Sequence, residues 1–291
     1  MSGRIAEKFR SLALERKSAF IPYITAGDPA LSATLELVLS LERAGADLIE
    51  LGIPFSDPVA DGEVNQAAAH RALKSGATVE GVIATVAAIR KVSEIPIILF
   101  SYLNPLLRLG LERFADEAAR AGVDGVLLVD LPLEERLPGL ESLEARLTRI
   151  HLVAPTTEPV RRRAIAKAAA GFIYCVARLG TTGARDEAPA EAEALVRSMR
   201  SLCALPACVG FGISTPGQAA AVAAYADGVV VGSALVERIG AWGTAPDLFR
   251  RVEDFARPLA ESVHNASGRS ASEDLLREPM GERGKVGHSR A

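Results

Sequence analysis

The segment Leu35-Glu36-Leu37-Val38-Leu39-Ser40-Leu41-Glu42-Arg43-Ala44-Gly45-Ala46-Asp47-Leu48-Ile49-Glu50-Leu51 contains one repeat of the pattern on which this chain is built. Leu35, Val38, Leu39 and Leu41 recur at helical spacing. Arg43-Ala44-Gly45 closes that helix with a glycine, the residue that turns a helix end at least steric cost. Residues 47–51 then form a short run that is apolar at successive positions, as strands covered on both faces are.

The same unit recurs on either side. Strands are expected at 19–25, 47–51, 96–102, 125–129, 150–154, 172–176, 207–211 and 228–231, with helical patterns such as Phe114-Ala118-Ala121 and Ala192-Leu195-Val196-Met199 between them. A second helix ends at Arg120-Ala121-Gly122. Eight strands, each followed by a helix, is the count of a single (β/α)8 TIM barrel in the α/β class. An open doubly wound sheet is the alternative, because strand number does not fix closure. An extra amphipathic helix is expected over 2–14, with Ile5, Phe9 and Leu12 on one face. The catalytic barrel domain is expected to span 1–264. Residues 265–291 are rich in Ser, Gly and charge and read as a disordered tail.

Composition excludes several function classes. The 291 residues are 49% hydrophobic and 24% charged, with a formal net charge of −3 at pH 7. That balance gives no basic field for nucleic acid or anionic lipid. No apolar run reaches bilayer-spanning length, and the N-terminus lacks the apolar core and cleavage site of a signal peptide, so a cytoplasmic location is expected. Cys175, Cys203 and Cys208 lack metal-ligand spacing and read as free thiols in a reducing compartment.

Two carboxylates stand out. Glu50 lies in an apolar strand, where desolvation holds a carboxyl near neutrality and lets it exchange a proton near pH 7. Asp61 follows in a turn-rich segment, and on a mobile loop it is expected to stay ionised, ready to meet an N–H or a developing positive charge. Three glycine-bearing turns follow the last three strands: Gly180-Thr181-Thr182-Gly183, Gly210-Phe211-Gly212-Ile213-Ser214 and Gly232-Ser233-Ala234-Leu235, the last opening a short helix. Barrels bind phosphate at such turns, where backbone N–H groups and a helix N-terminus converge. Gly183, Gly212, Gly232 and Ser233 are therefore expected to ring a phosphate; tight βα turns are the alternative reading. The polar loop 178–187 has the composition of a lid that orders over ligand, or of a plain flexible loop.

These residues carry a family likeness. Phe20-Ile21-Pro22-Tyr23-Ile24-Thr25-Ala26-Gly27-Asp28-Pro29 and Glu50-Leu51-Gly52-Ile53-Pro54-Phe55-Ser56-Asp57-Pro58-Val59-Ala60-Asp61-Gly62 resemble the opening strand and the central signature of tryptophan synthase alpha chains. Tyr102-Leu103-Asn104-Pro105, Asp130-Leu131-Pro132, Ala154-Pro155-Thr156-Thr157 and the glycine turns extend the likeness, in order, over the whole barrel. The resemblance implies retro-aldol cleavage of indole-3-glycerol phosphate to indole and glyceraldehyde 3-phosphate, a step in tryptophan biosynthesis. It implies Glu50 as general acid/base and Asp61 as the carboxylate facing the indole N–H. Phe20, Tyr102, Tyr174 and Phe211 would lie near the ring and glycerol, and Thr182 would be the lid residue that meets Asp61. The implied partner is a pyridoxal-phosphate-dependent beta chain in an alpha2beta2 heterotetramer, touched by Pro54, Asp57, Pro58, Asn104 and Pro132. Tyr102 and Tyr174, taken alone, also fit ordinary core aromatics.

The chain departs from the family pattern after Gly62. Pro, any residue, Ile and Gln are usual there, whereas Glu63-Val64-Asn65-Gln66 stands here. The change adds a charge to the loop carrying Asp61 and bears on partner coupling, which keeps a stand-alone indole-3-glycerol phosphate lyase as an alternative. A non-catalytic regulator that binds a phosphate ligand is a third reading, against which both carboxylates argue. No lysine sits at a strand's C-terminal end for a Schiff base, and His70, His151, His264 and His288 are dispersed, so neither metal nor organic cofactor is expected.

Overall fold

The computed structural model describes residues 3–176, 187–210 and 212–266. Eight parallel strands close into a barrel in chain order: β1 (Ala19–Thr25), β2 (Ile49–Gly52), β3 (Ile97–Ser101), β4 (Gly125–Leu128), β5 (Thr148–Val153), β6 (Ile173–Val176), β7 (Ala207–Gly210) and β8 (Gly228–Val231). Closure is made by β1 on β8, with Ala19 opposite Gly228 and Pro22 opposite Val231. This excludes the open sheet.

The outer helices are α2 (Leu31–Arg43), α4 (Val79–Ile89), α6 (Leu111–Ala121), α7 (Leu140–Arg146), α8 (Pro159–Ala168), α9 (Glu187–Arg200), α10 (Pro216–Ala223) and α12 (Leu248–His264). Four more helices decorate this frame. α1 (Arg4–Leu14) precedes the barrel, while α3 (Glu63–Lys74), α5 (Leu103–Leu109) and α11 (Ser233–Trp242) follow β2, β3 and β8. No single helix among the described residues is long and apolar enough to cross a membrane. Cys175, Cys203 and Cys208 are free thiols.

Strand side chains alternate between two apolar layers. Phe20, Ile24, Ile49 and Leu51 pack outward against helical residues such as Leu37 and Leu41. Ala19, Ile21, Leu48, Ile98, Leu127, Ile150 and Phe172 fill the barrel, closed from below by Ile5, Phe9 and Leu12 of α1. Phe9 and Phe172 meet at a ring-centroid distance of 5.7 Å. The lower barrel is thus packed solid, and only the C-terminal mouth is left for chemistry.

A repeated device sets the starts of several strands. Gly45 and Gly122 take positive φ values of 106° and 87°, and an aspartate follows two residues later. Asp47 accepts from the Phe20 N–H at 2.9 Å, and Asp124 from the Ile97 N–H at 2.8 Å. Asp227 does the same for the Ala207 N–H at 2.9 Å. Asp124 also pairs with the largely buried Arg90 at 2.6 Å. Removing one partner of a buried pair strands the other. Asp124→Ala is therefore expected to lower unfolding stability by about 3 kcal/mol in urea titration; a loss below about 1 kcal/mol would contradict this role.

Candidate active site

The upper, inward-facing positions of the strands carry the polar groups. Glu50 lies beside Tyr23 in the β1–β2 register. Only 1% of Glu50 is exposed, and its Oε1 is buried without a hydrogen-bond partner. Desolvation alone pushes its carboxyl up to about 8, so it holds a proton at neutral pH and is poised to release it. Two tyrosines share this space. Burial, with the negative charges of Glu50 and Asp61 adding to it, raises the Tyr23 and Tyr174 hydroxyls well above the ordinary tyrosine range.

Two glycines make room for these rings. A Cβ at Gly52 would collide with the Tyr23 hydroxyl, and one at Gly210 with that of Tyr174. Each glycine sits on the next strand, two residues beyond its tyrosine's register partner, so the two halves of the mouth repeat one arrangement. Any larger residue at either site would push a tyrosine off its place beside Glu50.

The segment after β2 folds back over this mouth. The Asp61 N–H donates to the Pro58 carbonyl at 3.0 Å, and Gln66 Nε2 donates to the Asp61 carbonyl at 2.8 Å. Tyr102, which caps α5, accepts from the Ala60 N–H at 2.9 Å and donates its hydroxyl proton to Asp61 Oδ2 at 3.0 Å. Asp61 is thus half-buried and tied to its neighbours rather than free on an open loop. Burial raises its pKa, and the Tyr102 hydroxyl and the Asn65 side chain pull it back.

A family model described as tryptophan synthase alpha chain matches residues 9–264. The chain belongs to the tryptophan synthase alpha chain family. It is 49% identical over 238 residues to the tryptophan synthase alpha chain of Geotalea daltonii, covering 81% of this chain and 90% of that one. With the alpha chain of Geobacter sulfurreducens it shares 46% over 263 residues, 90% of this chain and 99% of that one. Among solved structures, the tryptophan synthase alpha subunit of Legionella pneumophila superposes with a TM-score of 0.83 at 38% identity, over 90% of this chain and 99% of that one. A chain of the aminoacrylate-bound tryptophan synthase from M. tuberculosis gives 0.80 at 34%, over 90% and 100%.

The expected site of a tryptophan synthase alpha chain is brought together here for Glu50, Asp61, Tyr102 and Tyr174. Phe20 is a correction. It is fully buried in the outer layer among helical residues such as Leu37, and strand alternation carries Tyr23 into the mouth instead. Gly212 follows β7 with φ of 73°. Gly232 caps α11, so the N–H groups of Ser233 and Ala234 lack intrahelical acceptors. Thr182, Gly183 and Phe211 lie outside the described residues, as do 178–186 of the loop expected over 178–187 and 267–291 of the tail expected over 265–291.

Of the expected partner-facing residues, Asp57, Asn104 and Pro132 are exposed, while Pro54 and Pro58 are buried by their own chain and present little surface. Sequence reasoning missed three features. Tyr23 was legible from two-residue alternation along β1. Val59 and Leu107, 86% and 46% exposed, set apolar side chains on the same rim and announce themselves only by exposure. Among the described residues no three His, Cys, Asp or Glu side chains converge as metal ligands.

The raised Glu50 pKa makes a stability prediction. Between the ordinary glutamate pKa of 4.5 and about 8, the folded state keeps a proton that the unfolded state has lost, so stability falls as pH rises. Glu50→Gln removes this liability. Its stability advantage over the natural chain is expected to grow by roughly 1.4 kcal/mol per pH unit across that window and then level off. Urea titrations at several pH values check it, and a constant difference would contradict it.

Proposed function

We propose that this chain cleaves indole-3-glycerol phosphate into indole and glyceraldehyde 3-phosphate, as the lyase subunit of a tryptophan synthase. The observation that carries the reading is Glu50, a carboxyl kept protonated by dryness with one oxygen left without a partner at the barrel mouth. Membership in the alpha chain family supports the substrate.

Cleaving the bond between the indole ring and the glycerol side chain is a retro-aldol step. Protonated Glu50 gives its proton to the ring carbon that carries the side chain, which turns the ring into a leaving group. The positive charge that appears on the ring nitrogen is met by ionised Asp61, held by Tyr102. Glu50, now a carboxylate, takes the proton of the adjacent hydroxyl. The carbon–carbon electron pair then returns to the ring, releasing indole and the aldehyde. One dry carboxyl near its own pKa serves as acid and then base, each role contributing on the order of 10²–10⁴ in rate. Tyr23 and Tyr174 flank the ring. The N–H groups of Gly212, Gly232 and Ser233 receive the phosphate, joined by Gly183, with the α11 dipole favouring its charge.

The exposed Asp57, Asn104 and Pro132, with Val59 and Leu107 beside them, support a rim that docks a pyridoxal-phosphate-dependent beta chain, to which indole would pass.

Indole release from indole-3-glycerol phosphate, followed by chromatography with and without a tryptophan synthase beta chain, tests the reading. The natural chain is expected to release indole, and faster with the beta chain. Glu50→Gln is expected to lose at least 10²-fold. High turnover indifferent to the beta chain would favour the stand-alone lyase, and near-normal turnover by Glu50→Gln would end the acid/base assignment.

A further inference from the structure

Helix α3 opens two residues after Asp61, and its first turn carries Asn65. This position lies in the Glu63-Val64-Asn65-Gln66 stretch where the chain departs from its family's usual pattern, with an amide in place of an aliphatic side chain. Isoleucine there would add only apolar wall. Asparagine brings a donor and an acceptor to a half-buried position at the mouth.

The two ends of that amide have different surroundings. One lies near enough to the Asp61 carboxyl to favour its charged form, as the Tyr102 hydroxyl also does. A carboxylate attracts the NH₂ end, which leaves Oδ1 facing elsewhere. Oδ1 is buried and has no hydrogen-bond partner, one of four such side-chain atoms among the described residues. Another of the four is Glu50 Oε1, so half of these unmet groups belong to one site. A buried acceptor without a donor is costly, and its persistence on the side chain that meets Asp61 points to a ligand that supplies the donor.

We propose that Asn65 is a positioning residue: its Nδ2 holds the Asp61 carboxyl toward the indole N–H, and its Oδ1 accepts a hydrogen bond from a hydroxyl of the substrate's glycerol chain. This rests on the cleavage reaction proposed above, in which the ring N–H goes to Asp61 and the hydroxyls are the remaining donors. The titratable groups sharing the space with Asp61 are Tyr102, Tyr23 on β1, Tyr174 on β6 and Glu50 on β2, and none brings positive charge. Glu63 on the same helical turn is exposed. Tyr102 and Asn65 are therefore the pair that sustains the charge on Asp61.

Asn65→Leu removes both ends of the amide while keeping its bulk and helix preference. Loss of the donor raises the Asp61 pKa, so the acidic limb of the kcat/KM profile is expected to move up by about half a pH unit. The Asp61 carboxyl, followed by ¹³C NMR titration, should move with it. Loss of the acceptor should raise KM about fivefold with a smaller change in kcat. Asn65→Gln, which restores an amide, should recover part of both. A purely structural role would lower stability and leave the limb, the NMR titration and KM in place, and that result overturns the proposal. If the natural chain releases no indole, the reaction reading falls by itself; an unmoved Asp61 titration in folded Asn65→Leu would overturn the positioning role regardless.

Discussion

The burial of one carboxyl without a partner is the constraint around which the upper barrel is arranged. Asp47, Asp124 and Asp227, low in the barrel, each accept from a backbone N–H. Glu50 meets no such donor, and dryness sets its proton affinity. A cation beside it would return it to the ordinary carboxylate range and strip its proton near neutral pH. Tyr23, Tyr174 and the glycines that admit them fill the space around it with groups that stay neutral.

The two ends of the barrel divide the work. Below, α1 drives Ile5, Phe9 and Leu12 into the strand interior, and the glycine–aspartate device fixes where strands begin. Above, the strands stop early, and the segments after β2, β3 and β8 each add a short helix that brings chemistry to the rim. α3 brings Asp61 and Asn65, α5 is capped by Tyr102, and α11 begins at Gly232. Rigid packing at one end is what allows an unmet, energetically unfavourable carboxyl at the other.

The sequence carried the fold in its strands. β1 and β8 occupy the expected 19–25 and 228–231, and the other six shift by a residue or two at their ends. β2 begins at Ile49 rather than 47, because the Asp47 side chain is drawn to the neighbouring strand's N–H. It runs on through Gly52, a poor strand former kept for the tyrosine beside it. α3 escaped notice because Gly62 offers no side-chain cap and its buried face is only alanine. In the site, Glu50, Asp61, Tyr102 and Tyr174 were legible because a carboxylate in an apolar run and a strong motif both point to them. Phe20 was misread because a motif matched as a string does not say which way a side chain faces; two-residue periodicity sends Phe20 out and Tyr23 in. The unmet Asn65 oxygen depends on packing that no spacing rule encodes.

The dryness of Glu50 is the claim on which the rest stands, and its carboxyl can be watched directly. Selective ¹³C labelling of glutamate, with the Glu50 resonance assigned by its loss in Glu50→Gln, allows its titration to be followed in the folded chain from pH 4 to 10. The account predicts a midpoint near 8. A midpoint near 4.5, the ordinary glutamate value, would show a solvated carboxylate and contradict it.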